Sequence, residues 1–260
     1  MNDLLFLIPL LPLLAFAINL LFGRAFIRDK AHWVALPLVG ASWIIALLVF
    51  RDVYDAEHAI SQHLFTWIPA GDFVVDVNLY VDQLAAIMLL VVLTVGFLVH
   101  VYSVGYMHGD PGFYRFFAYL PLFVFSMLML VLGDNLLITF LGWEGVGACS
   151  YFLISFWFGK DANASAGKKA FVTNRIGDWG FMVAIFLTFS ALGTLTYSGS
   201  DGILEIQDDA VCATGGRLRE ARDRRCRLPV LLRPPPHHLE VHRDAVERAL
   251  EFVRDPRGHQ

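Results

Sequence analysis

Six apolar runs, each long enough to cross about 30 Å of hydrocarbon, fill most of the first two hundred residues, at 4–22, 33–50, 84–101, 113–132, 136–158 and 171–192. A segment surrounded by lipid must satisfy its own backbone hydrogen bonds, and an α-helix does so without a partner strand. The expectation is therefore an all-α, polytopic transmembrane helix bundle with a disordered or weakly helical C-terminal tail. Composition agrees, with 57% hydrophobic and 17% charged residues, against about 25% charged in an ordinary soluble chain. Pro9, Pro12, Pro37 and Pro121 fall inside the runs. Lipid tolerates such breaks where neighbouring helices or water satisfy the freed backbone groups, so the runs are expected to pack together. The first run opens MNDLL without a basic residue, and Arg24 and Arg28 follow it; it reads as a span, not a signal peptide.

Lysine and arginine set the orientation. Arg24, Arg28 and Lys30 follow the first run, Arg115 follows the third, and Lys160, Lys168, Lys169 and Arg175 follow the fifth, whereas the other side carries Arg51 alone. The bias places the N-terminus outside and the basic connections in the cytoplasm, for a multi-pass protein of the bacterial inner (plasma) membrane. The connection from Arg51 to Asp82 is long and acidic, and FVVDVNLYV (73–81) alternates imperfectly, as a short exterior strand or hairpin would. Cys149, Cys212 and Cys226 form no CxxC pair, which argues against a thiolate iron–sulfur or disulfide framework; Cys149 reads as a small buried apolar residue. The sequence shows no phosphate-binding glycine loop, zinc-ligand spacing or nucleophile elbow.

The membrane domain is expected to cover 1–205, and after about Asp208 the text changes. Eleven of the sixteen arginines lie between Arg217 and Arg257, with RPPPHH at 233–238 and no lysine. Six spans from an outside start would export all of them, against the rule the earlier residues obey. The tail, 208–260, therefore reads as a non-native or frameshifted continuation; the functional alternative is a polybasic lipid- or nucleic-acid-binding segment.

One ionisable side chain, Glu144, sits within NLLITFLGWEGVGACSYFLISFW (135–157). Ten residues beyond Asp134 it lies about 15 Å deep, where an ionised acid costs about 2.5–3.5 kcal/mol on insertion scales. Gly147 and Ala148, three and four residues on, leave room beside it for a helix or water, and Gly142 and Gly145 permit close backbone approach. Desolvation favours a protonated acid and a nearby cation favours the carboxylate, so such a group can relay a proton; a protonated interhelical hydrogen-bond donor is the other reading. Asp178 is a second candidate, as a relay or as an interfacial pair with Arg175. Lys168 and Lys169, placed before the sixth run, are supporting candidates or plain interfacial anchors. His100, near the cytoplasmic end of the third run, titrates near neutrality when unperturbed or is structural.

Three stretches carry a family resemblance: YSVGYMHGDPGFYRFFAYLPLF (102–123), the Glu144 segment, and KKAFVTNRIGDWGF (168–181). Over roughly residues 1–205 the chain resembles the N-terminal portion of the L-type, largest antiporter-like subunit of proton-pumping NADH–quinone oxidoreductase, respiratory complex I. The resemblance implies a membrane-arm translocase subunit that carries protons and has no redox site of its own. NADH, FMN, iron–sulfur clusters and quinone then belong to partner subunits, its partners being other membrane-arm subunits and the bilayer, not nucleic acid. It maps the family's buried glutamate onto Glu144 and its second acid onto Asp178. It also implies a lysine on a seventh helix as the partner of that glutamate. This sequence has no seventh run, so nothing movable is expected to offer Glu144 a positive charge, and the chain alone is not expected to pump. Two other functions remain open on the sequence: a subunit of a multisubunit sodium/proton antiporter, and a non-conducting assembly fragment.

Overall fold

The computed structural model describes residues 4–56, 59–70, 73–198 and 202–203; the arginine- and proline-rich tail lies outside the described residues. The chain divides into two compact units, Met1–Phe181 and Met182–Gln260. The helices are α1 (Leu7–Phe22), α2 (His32–Ala56), α3 (Gln83–Tyr106), α4 (Phe113–Leu132), α5 (Leu136–Ile154) and α6 (Asp161–Leu192). All six are long and apolar enough to cross a membrane. A π-turn at Gly23–Ile27 and a 3-10 turn at Arg28–Lys30 join α1 to α2.

Within the first unit α4 is the central helix, packed between α1 and α5, while α2 bridges α1 and α3. Half of its most apolar window is buried, against 11% for α6. Leu5, Ile8, Ala46, Leu89, Leu93, Leu128 and Leu132 form one apolar cluster with Leu79 and Val81 of the hairpin described below. A second cluster joins Ala31, Ala35, Met107, Phe113, Phe117 and Phe156.

Two of the proline breaks are repaired across helices. Pro12 has no N–H to give to the carbonyl of Ile8 four residues back; the Ser42 hydroxyl of α2 donates to that carbonyl instead, at 2.7 Å. Pro121 likewise leaves the Phe117 carbonyl free, and the buried Asn19 amide of α1 donates to it at 2.8 Å. At Pro12 and Pro121 the break in one helix has thus become a polar tie to another, as a dry interior requires. Pro9 lies in the first turn of α1, where its missing N–H breaks no helical bond.

The acidic connection folds as an antiparallel hairpin, β1 (Ile60–Ala70) and β2 (Phe73–Val81). The strand expected at 73–81 is present, and the all-α expectation gains this one β element. Val75, Val77, Leu79 and Val81 are buried on one face, the period-two pattern of a half-buried strand. Asp82 ends the strand and caps α3, accepting from the Ala85 N–H at 2.7 Å. Asn135 does two jobs: its side-chain oxygen caps α5 by accepting from the Ile138 N–H at 2.8 Å, and its Nδ2 donates to the Asp76 carbonyl at 2.8 Å. Asn135→Ala removes both bonds and should cost about 1–2 kcal/mol. Asn135→Asp keeps the cap without the donor and should lose about half as much, read as unfolding midpoints in neutral detergent. Equal losses for the two variants would show that the cap alone matters.

Two boundaries differ from the sequence reading. Helix α5 ends at Ile154, four residues before the apolar run does. Helix α6 begins at Asp161, ten residues before its apolar run, because DANASAGKKA is polar yet alanine-rich and free of proline, so helix propensity carries the helix past its apolar part. Lys168 and Lys169 therefore lie inside α6, not before it. In the second unit the remainder of α6 ends at Gly193, whose positive φ of 75° suits a residue without Cβ; its N–H donates to the Phe189 carbonyl at 2.8 Å.

Candidate functional site

Helices α5 and α6 run in opposite directions, and within the first unit their facing side chains form a ladder. A Cβ on Gly167 would lie 2.8 Å from the Ser155 Cβ, so the helices come close at that end. Tyr151 then meets Phe171, with ring centroids 5.5 Å apart. The Phe181 ring meets Phe140 at 5.4 Å and Trp143 at 6.2 Å, both edge-on. Between these aromatic rungs lie the charged groups.

The Arg175 Nη1 donates to the Glu144 Oε2 across the helices. The same nitrogen is 3.5 Å from the Asp178 Oδ2, one turn on along α6. The Trp143 Nε1 donates to the other Asp178 oxygen at 2.7 Å. Beneath the guanidinium lies the Phe171 ring, 4.5 Å from Cζ to centroid, a cation–π contact. Side-chain exposure falls from 43% at Arg175 through 23% at Glu144 to 6% at Asp178. One cation is therefore shared by two carboxylates, and the more buried acid also receives the indole N–H. Phe171, Arg175 and Asp178 share one face of α6 because they are spaced by four and three residues.

The Arg175–Asp178 pair expected from the sequence is present at 3.5 Å, but the expectation that nothing offers Glu144 a positive charge is corrected, because Arg175 also reaches that acid. With α6 starting at Asp161 it lies fourteen residues in, about 21 Å along the axis, and it reaches Glu144, which is eight residues into α5 and about 12 Å deep. Glu144 thus has a positively charged partner within this chain. Trp143 and Phe171 were missed altogether; pairing α5 antiparallel with an α6 begun at the alanine-rich segment would have aligned them.

The other candidates stay apart. His100 is fully buried in α3, its Nδ1 2.7 Å from the Gly96 carbonyl and its ring against Phe117. Among the described residues no hydrogen bond or ion pair links it to the Arg175 cluster. Lys168 and Lys169 are exposed on α6. Gly147 has open space where a Cβ would be, as the Glu144 face required, whereas Gly142 and Gly145 lie hard against Leu130 and Ser126 of α4. Cys149 is buried and free. Among the described residues no three His, Cys, Asp or Glu side chains converge as metal ligands.

Known proteins carry the same sequence pattern. The family model for "NADH-Ubiquinone oxidoreductase (complex I), chain 5 N-terminus" matches residues 67–117. The model for "NADH:quinone oxidoreductase/Mrp antiporter, TM" matches 133–209, which contains the whole ladder. NADH-quinone oxidoreductase subunit L of Mycobacterium tuberculosis (strain ATCC 25618 / H37Rv) is 48% identical over 192 residues, 73% of this chain and 30% of that one. The chain belongs to the L-type, antiporter-like subunit family of NADH–quinone oxidoreductase. Subunit L of Escherichia coli (strain K12) is 43% identical over 190 residues, 72% of this chain and 31% of that one. Among solved structures, the Mrp complex from Dietzia sp. DQ12-45-1b matches with a TM-score of 0.63 and 27% identity, over 75% of this chain and 20% of that one. The chain spans about 30% of the length of the L-type relatives it matches.

Proposed function

We propose that the chain takes part in proton translocation across the bacterial inner membrane, as an L-type subunit of the membrane arm of NADH–quinone oxidoreductase. Glu144 and Asp178 are its proton-carrying groups. The observation that carries this reading is the single guanidinium shared by two carboxylates at span depth. With both acids ionised, one positive charge against two negative ones leaves the cluster at −1; one added proton brings it to zero. A shift of Arg175 toward either acid decides which of the two holds the proton, so loading and release follow from a short side-chain movement.

The Trp143 N–H holds Asp178 in place while the half-exposed Arg175 moves, and the Phe171 ring keeps the guanidinium over the gap when one salt bridge opens. In this reading the N-terminus and the hairpin are outside, the partners are other membrane-arm subunits, and NADH oxidation and quinone reduction occur in those partners. A sodium/proton antiporter subunit is the second reading, because the family model over 133–209 also names the Mrp antiporter.

Glu144→Gln, introduced into the NADH–quinone oxidoreductase that contains this chain, should leave assembly intact and slow proton transfer through this site by about a hundredfold. Proton uptake per NADH oxidised, measured in sealed vesicles, checks it. Unchanged uptake in Glu144→Gln and in Asp178→Asn would overturn the reading. Uptake driven by a sodium gradient without NADH would favour the antiporter.

A further inference from the structure

A second polar feature lies at the other end of the α5–α6 ladder. A cavity of about 260 Å³ opens between the start of α4, the end of α5 and the start of α6, and Arg115, Lys168, Tyr119, Tyr151, Phe156 and Phe158 are among its walls. Two of these are cations. Among the described residues neither has an acid within ion-pair distance. The nearest carboxylate by sequence, Asp110, is already engaged, accepting from the Gly112 N–H at 2.6 Å and from the Trp157 Nε1 at 2.8 Å.

We propose that this cavity binds a phosphate-bearing anion, with Arg115 and Lys168 as its charged ligands. The Arg115 guanidinium lies 5.4 Å from the centroids of both Phe156 and Phe158, which fixes its plane and keeps it in the cavity. A planar guanidinium held that way presents paired N–H groups to phosphate oxygens, while the lysine adds a mobile point charge. Tyr119 and Tyr151 line the same space. Aromatic walls continue from the charged corner, so the site accepts a headgroup with a glycerol and the first methylenes behind it. The α1–α2 connection with Arg24, Arg28 and Lys30 packs on α4, the helix that carries Arg115, and anionic lipid headgroups attract such basic clusters. A phospholipid phosphodiester and free phosphate offer the same chemistry.

The test uses the full chain in neutral detergent with three probes: phosphatidylglycerol, diacylglycerol of the same acyl chains, and inorganic phosphate. Native mass spectrometry reads bound lipid, and the unfolding midpoint reads phosphate. Arg115→Gln/Lys168→Gln should weaken phosphatidylglycerol binding by about tenfold, the loss of two charge-assisted contacts. Arg28→Gln/Lys30→Gln, which removes the same charge outside the cavity, should leave it unchanged, and diacylglycerol should not distinguish the variants. Phosphatidylglycerol binding that inorganic phosphate does not displace assigns the lipid as ligand. Midpoint protection by inorganic phosphate, lost in the cavity variant, assigns the free ion. If the double variant does not fold, Lys168→Gln, at an exposed helix position, carries the test with a loss of about threefold. Equal binding by the cavity variant and the unsubstituted chain, or equal loss in the Arg28→Gln/Lys30→Gln control, overturns the proposal.

Discussion

Arg175→Met should destabilise the α5–α6 pair more than any other single substitution in the charged ladder, by about 2 kcal/mol. Removing the cation leaves Glu144 and Asp178 facing each other with nothing positive between them. Breaking a fully buried pair this way costs about 3–5 kcal/mol, and the 43% exposure of the Arg175 side chain scales that down, because an exposed charge is partly solvated already. Glu144→Gln should cost less, about 1 kcal/mol, since the Arg175–Asp178 pair and the Trp143 bond survive it. The triple variant Arg175→Met/Glu144→Gln/Asp178→Asn should recover most of the Arg175→Met loss, because it removes the unpaired charges too. Unfolding midpoints in neutral detergent measure all three. Arg175→Met no worse than Glu144→Gln would mean that the guanidinium is not shared, and the proton-relay reading would fall with it. Arg175→Lys should recover only part of the stability: a single ammonium cannot face two carboxylates and stack on Phe171 at the same time.

The six spans were legible because hydropathy reports burial in lipid directly, and the span count required only lengths. The second strand of the hairpin was legible from the alternation in 73–81, and its partner was not. ISQHLFTWIPA (60–70) carries no clear period, and register shifts interrupt the pairing between His63 and Phe65 and between Thr66 and Ile68. The start of α6 was lost for a physical reason: hydropathy finds where a chain enters lipid, not where its helix begins, and here the two differ by ten residues. That one offset hid the central contact. With the helix begun at 171, Arg175 falls at the interface and reaches only its own helix; begun at 161, it faces Glu144. The acids themselves were legible, since a carboxylate in an apolar run stands out. Their shared cation depends on the register between two helices, which neither helix encodes alone. The proline repairs by Ser42 and Asn19 are of the same kind: the sequence says that a partner is needed and leaves open which helix supplies it.

The register between α4 and α5 is set by glycine. A Cβ on Gly142 would sit 2.5 Å from the Leu130 backbone nitrogen and 2.8 Å from its Cα. Those are main-chain atoms of the most buried helix, so neither can rotate away. At Gly145 the clash would be with the Ser126 Oγ at 2.5 Å and Cβ at 2.9 Å, where a hydroxyl rotamer offers some relief. Gly147, on the same helix, would meet nothing within 4 Å. Gly142→Ala should therefore cost about 2–3 kcal/mol by forcing the two helices apart, against a gain of about 1 kcal/mol in helix propensity that the substitution brings anywhere. Gly145→Ala should fall between, and Gly147→Ala should be neutral or stabilising by up to about 1 kcal/mol. The same series reads the site, because Trp143 and Glu144 follow Gly142 directly: an outward shift of α5 at that point moves the indole N–H away from Asp178. In detergent-solubilised chain, Gly142→Ala should lower the unfolding midpoint and abolish the additional loss that Trp143→Phe causes in the parent, since the bond to Asp178 is already broken. Fully additive losses in the double variant would show that the ladder is held by α6 alone and that close packing on α4 does not place the acid.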